Sequence, residues 1–219
     1  VTSMNKHDNN ILLEEMKNSY LKWFHKYCHF TMKWMGRPAY KTPFDAWVYQ
    51  EIIFETKPSV VIEIGTHSGG STLFLANILD AIGNGKVIGI DIDNSKTKDL
   101  NHDRITWITG NAVDSSVIDN VKQLISDNDK VMIIEDSSHE YTNTLDILKK
   151  YSPLVSNGCY FIVEDGICKE NYIDGPKPGP FDAIHEFLKT HLEYQIDKKM
   201  EKFLLTYNPD GFLQKITNS

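Results

Sequence analysis

A chain of 219 residues with 41% hydrophobic and 24% charged side chains is long enough for one sizeable core and too balanced in composition for a disordered class. The formal charge of -7 and the lack of a long basic run argue against a nucleic-acid binder, because a phosphate backbone selects basic surface. No run approaches the roughly 18 apolar residues of a membrane span, and the polar start Val1–Asn10 lacks the apolar stretch of a signal peptide.

Three cysteines, Cys28, Cys159 and Cys168, without CxxC or Cys/His spacing suggest neither a disulfide framework nor a zinc site. A cytoplasmic protein with no membrane partner is expected. In chain order, Leu12, Met16, Tyr20, Phe24 and Cys28 recur every fourth residue and predict a helical stripe. The amphipathic helix Ile11–Cys28 could also pack against a second subunit of a homo-oligomer. Gly36-Arg37-Pro38 breaks the pattern, and Thr42-Pro43 supplies an N-cap and a proline at the first position of a second helix that ends at Lys57-Pro58.

From there short β-branched runs alternate with helical patterns. Val60–Ile64, Val87–Ile90, Ile105–Ile108, Val131–Ile134 and Tyr160–Val163 read as buried parallel strands, with helices between most of them. Phe181, Ile184, Phe187 and Leu188 mark a further helix, and Phe203–Tyr207 with Phe212–Ile216 read as an antiparallel hairpin around Asn208-Pro209-Asp210-Gly211. The alternation predicts an α/β doubly wound sheet whose ligands sit beyond the carboxyl ends of its strands. The expected organisation is a helical extension over residues 1–57 and a single domain over 58–219.

The first strand runs into Glu63-Ile64-Gly65-Thr66-His67-Ser68-Gly69-Gly70-Ser71, where glycines allow a ligand to approach the backbone and a following helix offers free N–H groups. Asp91, at the end of the second strand, can accept both hydroxyls of a ribose. Together they describe an adenosine-type ligand. The spacing is not GxGxxG, and Glu63 suits a cationic sulfonium and amino group better than a pyrophosphate, which favours S-adenosylmethionine over a dinucleotide. Asn111, after the third strand, is either an adenine-side contact or a plain loop asparagine.

Asp136, Glu164 and Asp165 end the fourth and fifth strands and should face the same crevice, where carboxylates repel one another unless a cation or protons are shared. Oxygen ligands select a hard ion such as Mg2+. Adjacent strand residues point to opposite faces, so Glu164 and Asp165 converge only if the chain bends, for which Gly166 is the candidate. His139 can take a proton from a substrate hydroxyl. His25, His29, His102, His185 and His191 read as structural or exposed, and His67 as a rim residue. Trp23, Trp47 and Trp107 sit on apolar stripes and should pack in the core. Trp34 and Tyr40 are candidates for the substrate mouth, and Ile167–Pro180 for a lid.

With these segments in hand, the chain resembles the cephalosporin hydroxylase-like and rhamnosyl O-methyltransferase family of class I methyltransferases. The resemblance runs from about Trp34 to Ile216 through Tyr49-Gln50-Glu51-Ile52-Ile53, Glu63-Ile64-Gly65-Thr66 with Gly69-Gly70-Ser71, and Asp136-Ser137-Ser138-His139. It continues through Val163-Glu164-Asp165, Gly179-Pro180 and Asn208-Pro209-Asp210-Gly211-Phe212-Leu213. It implies a Rossmann-like seven-stranded sheet with an antiparallel last strand, S-adenosylmethionine at the Gly65 loop, ribose recognition by Asp91 and a magnesium site at Asp136, Glu164 and Asp165. The expected activity is metal-assisted O-methylation of a small-molecule or glycan acceptor, with Asp136 and His139 in the catalytic roles. A nicotinamide-dependent oxidoreductase and a silent cofactor- or glycan-binding module are the rival readings.

Overall fold

The five β-branched runs become the five parallel strands of one sheet in the computed structural model, which describes residues 6–169 and 177–216. Ahead of the sheet come α1 (Lys6–Tyr27), a ribbon of β1 (Lys33–Trp34) and β2 (Arg37–Pro38), and α2 (Pro43–Thr56). The ribbon turns at Met35-Gly36, both at positive φ (47° and 86°), which is why the helical pattern stops at Gly36. Thr42 caps α2 by accepting the Asp45 N–H at 3.0 Å, and Lys57 ends it in the left-handed region.

The main elements then follow as β3 (Val60–Ile64), α3 (Gly70–Ile82), β4 (Lys86–Asp91), β5 (Ile105–Thr109), α4 (Ser115–Gln123), β6 (Val131–Glu135), α5 (Tyr141–Tyr151), β7 (Tyr160–Val163), α6 (Pro180–Leu188), β8 (Tyr194–Ile196) and β9 (Phe212–Lys215). The sheet order is β5-β4-β3-β6-β7-β9-β8, parallel except at β9, which runs antiparallel to both its neighbours. The order reverses between β3 and β6, the crevice where ligands of open α/β sheets bind. Between β4 and β5 only a 3-10 turn (Asn94–Thr97) forms.

Alternation along β3 sorts its side chains between two cores. Val60, Ile62 and Ile64 join the cluster under α4, α5 and α6, and Val61 joins the cluster under α2 and α3. Each such fully buried aliphatic side chain contributes roughly 1.5–3 kcal/mol. Glu63 shares the Val61 face and is fully buried there, at 0% exposure.

Three expectations change. The hairpin partner of β9 is β8, not Phe203–Tyr207, because β9 inserts between β7 and β8, while the 203–207 stretch forms no strand and its end is bonded to Asp45. Trp23 and Trp47 are exposed, at 51% and 59%, since their helices present them opposite to the buried faces formed by Leu21 and Phe24 and by Val48 and Ile52. Trp107 does pack, half-buried against Gly89 and Gly69. The α1 stripe is used at Phe24, Tyr20 and Cys28, whereas Leu12 and Met16 stay exposed. Among the described residues no helix is long and apolar enough to cross a membrane.

Candidate active site

Beyond the carboxyl ends of β3, β4, β5 and β6 lies a cavity of about 580 Å3. Gly65, Asp91 and Asn111 line one end, Asp136, His139 and Asp165 the other, and His29, Phe30 and Tyr40 reach over it from the segment before α2. Asp91 is held in place by the His67 N–H, donated to Oδ2 at 2.7 Å, and by the Asp93 N–H, donated to Oδ1 at 3.0 Å. Each carboxylate oxygen keeps a further lone pair for a ligand hydroxyl. Asn111 faces the cavity and also accepts the Val113 N–H at 3.3 Å.

The glycine loop is used more narrowly than its composition suggests. Gly65 has φ +92°, and a Cβ there would overlap the Asp136 carbonyl, so strand-end packing as well as access demands a glycine. Gly70 is closed off by Pro38 and Ala39, and Gly69 lies against Thr97 and Trp107. Thr66, Ser68, Gly69, Gly70 and Ser71 therefore do not line the cavity, because the β1–β2 segment covers the start of α3; Gly65 and the rim residue His67 do. Glu63 is likewise set behind the cavity wall. The strand period points it toward α3, where its Oε2 accepts the Thr72 hydroxyl, and burial raises its pKa against the pull of Lys41.

At the far end the backbone bends at Asp165 itself, at φ +55°, rather than at Gly166. The bend separates the two neighbours. Asp165 turns to the cavity, where its Oδ2 lies 3.3 Å from His139 Nε2, and Glu164 is buried with its Oε1 2.6 Å from Lys41 Nζ. Lys41 Nζ also donates to Asp136 Oδ2. Among the described residues one atom each from Asp136, His139 and Asp165 falls within 4.8 Å of the others, and Glu164, held by Lys41, lies beside this group. Burial pushes the Asp165 carboxyl up to about 6, opposed by His139, and raises Glu164 well above the carboxylate range, with Asp136 adding to the effect. Burial opposes the His139 charge, but Asp165 and Asp136 outweigh it and hold its pKa above the ordinary value.

Lys41 carried no signal in the sequence beyond its place before the Thr42 cap. Three further residues, Tyr49, Asn208 and Asp45, were also not anticipated as parts of the site. The Tyr49 hydroxyl stands against Glu164 and accepts from Asn208 Nδ2 at 2.9 Å, and Asn208 Oδ1 accepts the Asp165 N–H at 3.2 Å. Asp45 accepts the Thr206 hydroxyl and the Tyr207 N–H. The start of α2, the end of β7 and the Asn208-Pro209-Asp210-Gly211 turn are thus one buried hydrogen-bonded unit around the carboxylates. His29, expected to be structural, lines the cavity, and burial followed by the neighbouring His25 lowers its pKa to about 4. Tyr40 faces the cavity as expected. Trp34 does not; it packs edge-on to Phe74 and donates to Asn77 at 2.9 Å. Residues 170–176, the middle of the Ile167–Pro180 lid, lie outside the described residues.

The rhamnosyl O-methyltransferase/CmcI family model matches residues 26–216. The chain belongs to this family. It is 33% identical over 209 residues to the rhamnosyl O-methyltransferase of Mycobacterium tuberculosis, covering 91% of this chain and 85% of that one. The rhamnosyl O-methyltransferase of Mycobacterium leprae is 32% identical over 211 residues, covering 91% of this chain and 90% of that protein. A structure of CmcI with Mg and SAM superposes with a TM-score of 0.67 at 25% identity, over 86% of this chain and 78% of CmcI. Family membership sets aside the oxidoreductase reading of the adenosine-type site.

Proposed function

We propose that this protein is an S-adenosylmethionine-dependent, magnesium-assisted O-methyltransferase acting on a hydroxyl of a sugar or natural-product-like acceptor. One observation carries the reading: a single cavity holds an oriented ribose-type acceptor, Asp91, at one end and the Asp136–His139–Asp165 group at the other. Relatives 32–33% identical over most of the chain are rhamnosyl O-methyltransferases, and the CmcI structure contains Mg and SAM.

The residues fit both groups. Gly65 gives the open strand end, Asp91 would take the ribose hydroxyls, and Asn111 with Ala112 would border the base. Crowded, buried carboxylates with raised pKa values are suited to a hard cation, and oxygen donors are preferred over imidazole by Mg2+. Asp136, Asp165 and Glu164 would therefore hold the ion, which when bound supplies positive charge that lowers the pKa of an acceptor hydroxyl. His139 is left free to take the hydroxyl proton on Nε2, and Asp165 beside it stabilises the imidazolium that results. His29, Phe30 and Tyr40 offer flat faces on which an acceptor ring can lie. The remaining contribution of the chain is position: the buried unit of Tyr49, Asn208 and Asp45 fixes the carboxylates before any ligand arrives. The three cysteines are free, which supports a reducing, cytoplasmic setting.

The test is a labelled-cofactor assay against a panel of rhamnosides, other glycosides and phenols. Asp136→Asn should reduce methyl transfer by about 100-fold or more, as removal of one transition-state electrostatic group does, and EDTA should abolish wild-type turnover. Undiminished transfer by the variant in EDTA would refute the metal-assisted mechanism.

A further inference from the structure

The ion-binding reading above asks Asp136 and Glu164 to receive a divalent ion, yet both carboxylates already share a cation that belongs to the chain. Lys41 is 8% exposed, donates to Asp136 Oδ2 and lies 2.6 Å from Glu164 Oε1. Burial works against its charge, and Asp136, Glu164 and Glu63 more than compensate, so the pKa of the ammonium is raised. Behind it stands a second buried carboxylate with capacity to spare. Glu63 is 0% exposed, its Oε2 takes the Thr72 hydroxyl, and its Oε1 has no hydrogen-bond partner among the described residues. A buried orphan oxygen of this kind is costly unless another arrangement uses it.

We propose that Lys41 is an internal competitor of the divalent ion: its ammonium engages the same carboxylates, Asp136 and Glu164, and ion binding drives it back toward Glu63 Oε1. Lysine suits the task because its point charge rides on a flexible four-carbon stem, whereas an arginine fork would clamp the carboxylates bidentately. The ammonium and a divalent ion would draw on the same two carboxylates, Asp136 and Glu164, and like charges repel at that separation. Lys41 thereby offsets the repulsion between the two carboxylates and sets the ion concentration at which the site fills. The inference rests on the metal-assisted reading, and its test requires no acceptor.

Mn2+ binding to the purified full chain is measured by electron paramagnetic resonance, with Mg2+ competition by calorimetry. Removing the competitor in Lys41→Met should tighten Mn2+ binding at least about tenfold, since a neighbouring buried charge acts over a few ångströms at low effective dielectric. Removing the retreat position in Glu63→Gln should weaken it, by about threefold to tenfold on the same electrostatic reasoning, although Glu63 is not an ion ligand. Unchanged or weaker binding in Lys41→Met overturns the proposal, and if that variant does not fold, unchanged binding in Glu63→Gln does so. Absence of Mn2+ binding by the wild-type protein would instead sink the metal-assisted reading itself.

Discussion

At one end of the cavity, Gly65, Asp91 and Asn111 follow the carboxyl ends of three adjacent parallel strands and are held by hydrogen bonds to backbone groups of those strand ends and the loops that leave them. At the other end, Asp136, Glu164 and Asp165 are reached by side chains from far along the chain: Lys41, Tyr49 and Asn208. His29, Phe30 and Tyr40 come from outside the sheet altogether. The cofactor end is therefore a property of the sheet, and the acceptor end is a property of how the first 50 or so residues and the C-terminal turn close over it. Such closing segments are where related enzymes on one scaffold can differ in acceptor while sharing a donor.

The strongest challenge to this division is Gly65→Ala. Its Cβ would overlap the Asp136 carbonyl at a positive φ, so both ends of the cavity should suffer together. A loss of about 3 kcal/mol or more in unfolding free energy is expected, with S-adenosylmethionine binding lost in calorimetry. A stable variant that still binds would show that the strand ends are not as tightly joined as the packing indicates.

Asp91→Ala should separate the ends. Losing two hydrogen bonds to a charged acceptor should raise the S-adenosylmethionine Kd by roughly 10–100-fold, with Mn2+ affinity and melting temperature unchanged. Equal losses of cofactor and metal affinity would mean that the two ends are coupled.

The smallest effect is expected at Phe30, which is 63% exposed. Phe30→Ala should raise the acceptor KM by about threefold to tenfold, the worth of one aromatic face, and leave the cofactor Kd alone. A shift in cofactor Kd of the same size would remove the distinction between the ends.

Much of this architecture was legible in the residues. Short apolar runs rich in β-branched residues located all five parallel strands, Thr42-Pro43 marked the start of α2, and the polar residues after the strands were placed at the correct edge. The short strand Tyr194–Ile196 was missed because three residues are too few for periodicity to register, and Trp47 was misjudged because a helical stripe does not reveal which of its faces meets the sheet.

What the sequence by itself determined was local: strand and helix alternation, a glycine where the chain must turn sharply, and carboxylates at strand ends, each set by periods of two or 3.6 residues and by backbone sterics. What only the tertiary structure decided was which of those groups share a space. Gly65 faces the cavity while Gly70 is sealed by Pro38, Glu63 lies behind the wall, and Lys41 is buried against Asp136 from 95 residues away. A lysine is buried only where partners offset its desolvation, and those partners are brought to it by the fold rather than by its neighbours in sequence.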